Sequence, residues 1–204
     1  IGKWTTNVKK AFQSMFEEKS TTEAERRAAR QGRKLIWEVC VHDARTTQCL
    51  KHDFPKVDVQ TFSWQNGWNF SDFDVQAEFL KLLDTEKPDE VLLTPPIHKS
   101  VVVKFCCQAY QQQQDGGGVA HLEMPDAADA WNQSASILTG STVRCAPCRF
   151  VEAEETASVT LLRFITNKTF FAEHMALECA CDAPHPDDKD AETGVKSYAW
   201  RMAT

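Results

Sequence analysis

Residues 88–97 read Pro-Asp-Glu-Val-Leu-Leu-Thr-Pro-Pro-Ile, and residues 35–44 read Leu-Ile-Trp-Glu-Val-Cys-Val-His-Asp-Ala. Each stretch contains a short apolar run rich in β-branched or aromatic residues. In the stretch 88–97 this run is followed by Pro95-Pro96, and a strand is expected to end at such a pair. Residues 88–97 therefore predict a strand that ends in Pro-Pro. Residues 35–44 predict a first strand and the turn that follows it.

The rest of the chain alternates between runs with strand character and runs whose apolar residues recur every three or four positions, which is the helical period. Turn-forming residues such as Asn66-Gly67 and Gly116-Gly117-Gly118 separate them. The predicted strands are 35–41, 56–62, 90–93, 119–123, 142–150 and 159–165, and the predicted helices are 46–52, 74–83, 99–114 and 127–138. This alternation predicts an α/β, Rossmann-like fold with a mainly parallel sheet.

The chain divides into two predicted parts. Residues 1–33 are expected to form an N-terminal helical extension that places Trp4, Phe12 and Phe16 near one face, where they would dock on the domain or on partner protein subunits. Residues 34–204 are expected to form the α/β domain, with an exposed acidic loop at about 181–193.

The composition narrows the possible functions. The chain has 204 residues, enough for one substantial core, and its net charge of −6 opposes broad binding to phosphate backbones, so a nucleic-acid partner is disfavoured. No apolar run is long enough for a transmembrane span, and no apolar secretory segment is present. We expect an intracellular protein, and the first residue, Ile1 rather than Met, is compatible with import into an organelle such as a plastid.

The eight cysteines include Cys145 and Cys148, spaced as in a metal hairpin, and Cys179 and Cys181. The four could hold a structural zinc ion. Buried thiols and a disulfide are the alternatives, because a buried thiol behaves as a small hydrophobe.

Six short motifs follow one another between about residues 33 and 200. They are Trp37-Glu38-Val39, Gly67-Trp68-Asn69-Phe70, the stretch 88–96, Ala120-His121-Leu122-Glu123-Met124-Pro125, Arg163-Phe164-Ile165-Thr166-Asn167 and Cys179-Ala180-Cys181 with His185. In this order they resemble the degenerate cytosine-C5-methyltransferase-like domains associated with dinoflagellate retroelement polyproteins. The resemblance implies a methyltransferase fold that binds S-adenosylmethionine and carries a nucleophilic thiol directly after Pro-Pro.

The chain departs from that family where the chemistry takes place. Glu38 and Asn69 occupy cofactor-facing positions, but the turn after Glu38 lacks glycine and Asn69 stands where an acidic residue is expected. Pro95 and Pro96 are followed by Ile97 instead of the thiol, and an alkyl side chain is not a nucleophile. Glu123 occupies the place of the base-binding carboxylate; Glu123 and His121 are also interpreted as structural polar groups satisfied by neighbouring backbone.

The sequence therefore predicts a pseudoenzyme that binds no cofactor. Its expected role is that of a structural or interaction subunit of a larger assembly, such as an organellar or photosynthetic complex. The alternative is a methyltransferase that uses S-adenosylmethionine on nucleic acid or on another acceptor.

Overall fold

The computed structural model describes residues 32–41, 47, 50–52, 54–134, 138–145 and 161–176. Within them lies one six-stranded sheet. Its strands are β1 (Lys34–Val39), β2 (Val57–Phe62), β3 (Glu90–Leu93), β4 (Val119–Pro125), β5 (Ser141–Cys145) and β6 (Leu162–Thr166). The helices are α1 (Phe73–Glu86), α2 (Ser100–Asp115), α3 (Ala130–Ser134) and α4 (Thr169–Met175), with a 3-10 turn at Trp64–Asn66 and further helical residues at 50–52.

The strand order is β2-β1-β3-β4-β6-β5. The first four strands in this order, β2, β1, β3 and β4, pair parallel. Strand β6 is antiparallel to both of its neighbours, β4 and β5. The fold is therefore α/β, as predicted, but the sheet is mixed and the prediction of a mainly parallel sheet is wrong. Consecutive strands that pair directly, as β5 and β6 do, run antiparallel unless a long crossover joins them.

Most of the predicted elements are confirmed within a few residues. The structure has strands or helices at each predicted position. The described part of the fifth strand is Ser141–Cys145 and that of the helix predicted at 127–138 is Ala130–Ser134, because residues 146–150 and 135–137 lie outside the described ranges. The N-terminal extension with Trp4, Phe12 and Phe16 and the acidic loop at about 181–193 lie outside the described residues. Among the described helices, none has the length and apolar character needed to cross a lipid bilayer.

Local signals in the sequence set the ends of the two longest helices. The side chain of Asp72 accepts a hydrogen bond of 2.8 Å from the Asp74 N–H at the start of α1, which is the usual N-cap arrangement. At its other end Lys87 adopts a left-handed φ of 46°, and Pro88 prevents continuation. Helix α2 ends at Gly116, and a left-handed Gly117 then turns the chain into β4.

The sheet separates two apolar clusters, because successive strand residues point to opposite faces. The larger cluster contains Trp37, Val91 and Leu122 and is covered by α1, α2 and α3. The smaller cluster contains Ile36, Leu92 and Phe164 and is covered by Leu50 and α4. We call these the α2 face and the α4 face of the sheet.

Candidate functional site

The candidate site is the edge of the sheet where β1 and β3 end. Strand β2 lies on one side of β1, and β3 and β4 lie on the other, so the strand order reverses between β1 and β3. In open α/β sheets this reversal leaves a crevice outside the carboxyl ends of the two strands, and ligands bind there. Four of the six predicted cofactor and catalytic positions follow or end these two strands: Glu38, Pro95, Pro96 and Ile97.

The turn after β1 begins at Cys40, which has a φ of 64° and whose N–H donates to the Phe62 carbonyl at 2.8 Å. Left-handed backbone of this kind favours glycine, because a Cβ atom is strained there. The turn thus has glycine-like geometry without glycine. Cys40 packs against the cluster on the α2 face, and Val41 is buried, so these two side chains are directed into the protein. The rest of the predicted turn, residues 42–44, lies outside the described part of the chain.

Glu38 is buried at the end of β1 on the α4 face. Its Oε2 accepts hydrogen bonds from the backbone N–H of Thr47, at 3.1 Å, and from the Thr47 hydroxyl. The Thr47 oxygen is in turn 2.8 Å from the hydroxyl of Thr61 in β2. The Glu38 carboxylate therefore connects β1, β2 and the helical segment after β1.

The Pro-Pro segment leaves β3 through Thr94, whose N–H and hydroxyl both donate to the Val39 carbonyl, at 3.1 and 3.2 Å. Pro95 is buried and Pro96 is half-buried; the Pro96 carbonyl accepts from the Lys99 N–H at 3.0 Å in the turn that leads to α2. Ile97 is half-buried and packs against the cluster on the α2 face. Ile97 thus brings a hydrocarbon side chain into contact with the core at the position where the resemblance predicts a thiol.

Asn69 takes part in the connection between β2 and α1. Its side-chain oxygen accepts from the Ser71 N–H at 3.1 Å, and its backbone carbonyl accepts from the Asp72 N–H at 2.9 Å. The adjacent Trp68 packs against the rings of Phe62 and Phe79, at centroid distances of 5.0 and 6.0 Å. Asn69 thus closes a turn that leads directly into the N-cap of α1.

Glu123 and the thiols nearest to Ile97 in sequence lie on opposite faces of the sheet. Leu122 and Met124, the neighbours of Glu123 in β4, belong to the cluster on the α2 face together with Cys106 and Cys107. Glu123 is buried and pairs across the ladder with Phe164, which belongs to the α4 face. Because the sheet lies between them, neither Cys106 nor Cys107 can act on a group held by Glu123.

The zinc prediction involves Cys145, Cys148, Cys179 and Cys181, of which the described residues include only Cys145. Cys145 is buried at the end of β5 within the cluster on the α4 face. The described ranges contain no group of three or more His, Cys, Asp or Glu side chains placed to hold a metal ion. Zinc binding by the four cysteines therefore stays a prediction.

Sequence reasoning missed a group of buried ionisable side chains near the opposite, amino-terminal edge of the parallel strands. Glu90, the first residue of β3, is fully buried; its Oε1 contacts the ammonium of Lys34 and lies 3.5 Å from the ammonium of Lys168. Its Oε2 lies 3.5 Å from Nε2 of His121. Lys34, Lys168 and His121 are also buried, and we call these four residues the Glu90 cluster.

Two members of the Glu90 cluster, Glu90 and His121, have shifted pKa values. Burial opposes ionisation of Glu90, but Lys34, His121 and Lys168 together outweigh it and lower the pKa of Glu90 to about 2. Burial lowers the pKa of His121 despite the neighbouring Glu90 carboxylate, so the ring is neutral at pH 7. The His121 ring packs on Phe171, with centroids 4.3 Å apart, and its Nε2 faces the Glu90 carboxylate at 3.5 Å. The described residues give no hydrogen bond from neighbouring backbone to the His121 ring, so the interpretation of His121 as satisfied by backbone stays a prediction.

The candidate edge also exposes aromatic side chains. Trp64, in the 3-10 turn after β2, is 65% exposed, and Phe73, at the start of α1, is 72% exposed. The ammonium of Lys99 lies 5.4 Å from the centre of the Trp64 ring, within the range of a cation–π interaction. This surface is the most prominent exposed apolar feature of the described residues near the site.

Comparison of the chain with models of known protein families, with characterised proteins and with solved structures finds no match in any of the three.

Proposed function

We propose that this chain is a methyltransferase-derived α/β domain without cytosine-C5 chemistry, and that it serves as a structural or interaction subunit of a larger assembly. The observation that carries the proposal is Ile97, which packs on the core at the place where the family resemblance requires a thiol. Without a nucleophile for C6 of cytosine, the first covalent step of that reaction cannot occur.

The geometry of the two thiols nearest to Ile97 in sequence supports the same conclusion. A thiol elsewhere can replace a missing one only if it reaches the same reacting atom. Cys106 and Cys107 lie beneath the α2 face, and Glu123, the carboxylate that would hold the base, lies on the α4 face. Neither of these two thiols therefore shares a side of the sheet with Glu123.

The cofactor positions are likewise engaged in contacts that stabilise the fold. Glu38 accepts two hydrogen bonds from Thr47, and Asn69 accepts one within its own turn. The Cys40 side chain fills space next to the core where the family has a glycine-containing turn. These contacts give Glu38 and Asn69 structural roles that require no cofactor.

A role in assembly is supported by what the candidate edge leaves exposed. Trp64 and Phe73 present two large aromatic rings, with Lys99 beside Trp64, and aromatic residues are enriched at protein interfaces. The acidic net charge favours a protein partner over the phosphate backbone of a nucleic acid.

One observation favours the alternative, a methyltransferase that uses S-adenosylmethionine on nucleic acid or on another acceptor. The strand order reverses between β1 and β3, and the backbone at Cys40 keeps the left-handed conformation of a glycine turn. A ligand crevice is expected at such a point in the sheet whatever its present use.

Isothermal titration of the full chain with S-adenosylmethionine and S-adenosylhomocysteine distinguishes the two functions, with a thermal shift measured on the same samples. We expect no heat of binding and no stabilisation at millimolar ligand. Saturable binding with a Kd in the micromolar range, accompanied by a rise in Tm, would contradict the proposal and establish the alternative. A variant in which Cys40 is replaced by glycine serves as the matched control, because it removes the side chain that occupies the turn.

A further inference from the structure

Two thiols from distant parts of the chain meet below the turn that follows β1. The sulfur of Cys40 lies 3.8 Å from the sulfur of Cys106 in α2, although the two residues are 66 positions apart in sequence. Cys40 is half-buried and Cys106 is fully buried. Cys40 is thus the more exposed residue of the pair.

The unusual backbone of Cys40 creates this contact. In a regular strand Cys40 would point to the α4 face, opposite to Val39. Its φ of 64° breaks the alternation, so that Val39 and Cys40 both pack toward the α2 face. A left-handed cysteine is strained, and here the strained conformation directs its sulfur towards another cysteine.

We propose that Cys40 and Cys106 form a reversible disulfide that ties the turn after β1 to helix α2. A disulfide has an S–S length of about 2.05 Å, so the sulfurs must approach by less than about 2 Å. Cys40 is half-buried and follows the last residue of β1, so this approach requires movement at the turn and not within the strand. This inference does not depend on whether the candidate crevice binds a ligand.

The oxidant is a peroxide, and the reaction proceeds in two steps. The Cys40 thiolate attacks one oxygen of hydrogen peroxide; the O–O bond breaks, and Cys40 becomes a sulfenic acid as hydroxide leaves and takes up a proton to give water. The Cys106 sulfur then attacks the Cys40 sulfur, and the S–O bond breaks. The departing hydroxide takes the Cys106 proton, so one peroxide consumes two thiols and yields one disulfide and two waters.

The order of the steps follows from the surroundings of the two sulfurs. Burial, together with the nearby Cys40, raises the pKa of the Cys106 thiol well above its usual value, so Cys106 is a poor first nucleophile towards a solute. It is nevertheless placed next to the sulfur that reacts first. Cys40 is therefore the peroxide-sensing thiol and Cys106 the resolving one.

The test uses the full chain, reduced, desalted and treated with one equivalent of hydrogen peroxide. Peptide mapping without reductant is expected to give a linked peptide pair that contains Cys40 and Cys106. The cross-link closes a long loop, so we expect Tm to rise by roughly 5–10 °C, and dithiothreitol should reverse the rise.

Two serine variants provide matched controls. Cys40→Ser, at a half-exposed position, should lose both the linked peptide and the rise in Tm. Cys107→Ser should keep both, which also shows which of the adjacent thiols is linked. The proposal is overturned if Cys40 of the wild-type chain ends as a dimedone-trapped sulfenic acid, if it is linked to any cysteine other than Cys106, or if the rise in Tm persists in Cys40→Ser.

Discussion

Replacing Glu90 by glutamine tests whether the Glu90 cluster stabilises the fold. Glutamine keeps the shape of the side chain but removes the charge that Lys34 and Lys168 face. The change from a pKa of 4.5 to about 2 corresponds to about 3 kcal/mol of preference for the charged carboxylate in the folded state at pH 7. Removing one partner from a buried ion pair costs a similar amount, about 3–5 kcal/mol. We therefore expect Glu90→Gln to lower the free energy of unfolding by about 3 kcal/mol.

Urea denaturation at pH 7 measures this change directly, and Glu78→Gln is the matched control because Glu78 is exposed on α1. The free energy of unfolding of Glu78→Gln should stay within about 0.5 kcal/mol of the wild-type value. Glu90→Gln should also alter the acid limb of the stability curve. An unfolded carboxyl is ionised above about pH 4.5 and the folded one down to about pH 2, so the contribution of Glu90 is complete above pH 4.5 and is lost between these values.

This reasoning is refuted if Glu90→Gln lowers the free energy of unfolding at pH 7 by less than about 1 kcal/mol and leaves the slope of that free energy against pH unchanged between pH 4.5 and 2. If Glu90→Gln does not fold, a second pair of variants decides the question. Replacing both partners by apolar residues, Lys34→Met with Glu90→Leu, should give a more stable protein than Glu90→Leu alone, because the single variant leaves the Lys34 charge buried without this carboxylate.

Two further predictions concern the core. His121 has a lowered pKa in the folded state, so its contribution to stability is complete above about pH 6.5 and falls as the pH decreases, because the unfolded chain takes up the proton first. Unfolding between pH 7 and 5 should show a smaller slope for His121→Gln than for the wild type or the exposed-site control His98→Gln; equal slopes would contradict the assignment. Phe79 in α1 contacts the rings of Trp37, Phe62 and Phe105 at 5.1–5.5 Å and is fully buried. Phe79→Ala should lower the free energy of unfolding by about 3–5 kcal/mol. Phe73→Ala in the same helix, at a position that is 72% exposed, should change it by less than about 0.5 kcal/mol. Similar losses of stability in the two variants would disprove the packing argument.

Local patterns were sufficient to place most of the elements. The helix predicted at 99–114 is found at Ser100–Asp115, and the strand predicted at 90–93 is found at Glu90–Leu93. Both depend on features within a few residues: the apolar spacing, Pro88 and Pro95 around the strand, and the glycines after the helix. The direction of β6 could not be predicted in this way, because the same run of apolar residues can pair in either direction.

The candidate site was only partly predictable. The absence of a thiol at Ile97 is a property of the sequence, and so is the absence of glycine after Glu38. That Cys106 and Glu123 lie on opposite faces of the sheet required the strand register and the packing of α2. The left-handed φ of Cys40 was also not predictable, since cysteine has no intrinsic preference for it.

The sequence alone determined which residues form strands and helices and which reacting group is missing, because these depend on side-chain identity and on contacts within a few positions. The tertiary structure alone decided which distant residues meet. Glu90 contacts Lys34 and Lys168, which are 56 and 78 positions away, and Cys40 meets Cys106 across 66 positions. Such pairs are selected by the order of strands in the sheet and by the face on which each helix packs, and no local periodicity in the sequence specifies either of them.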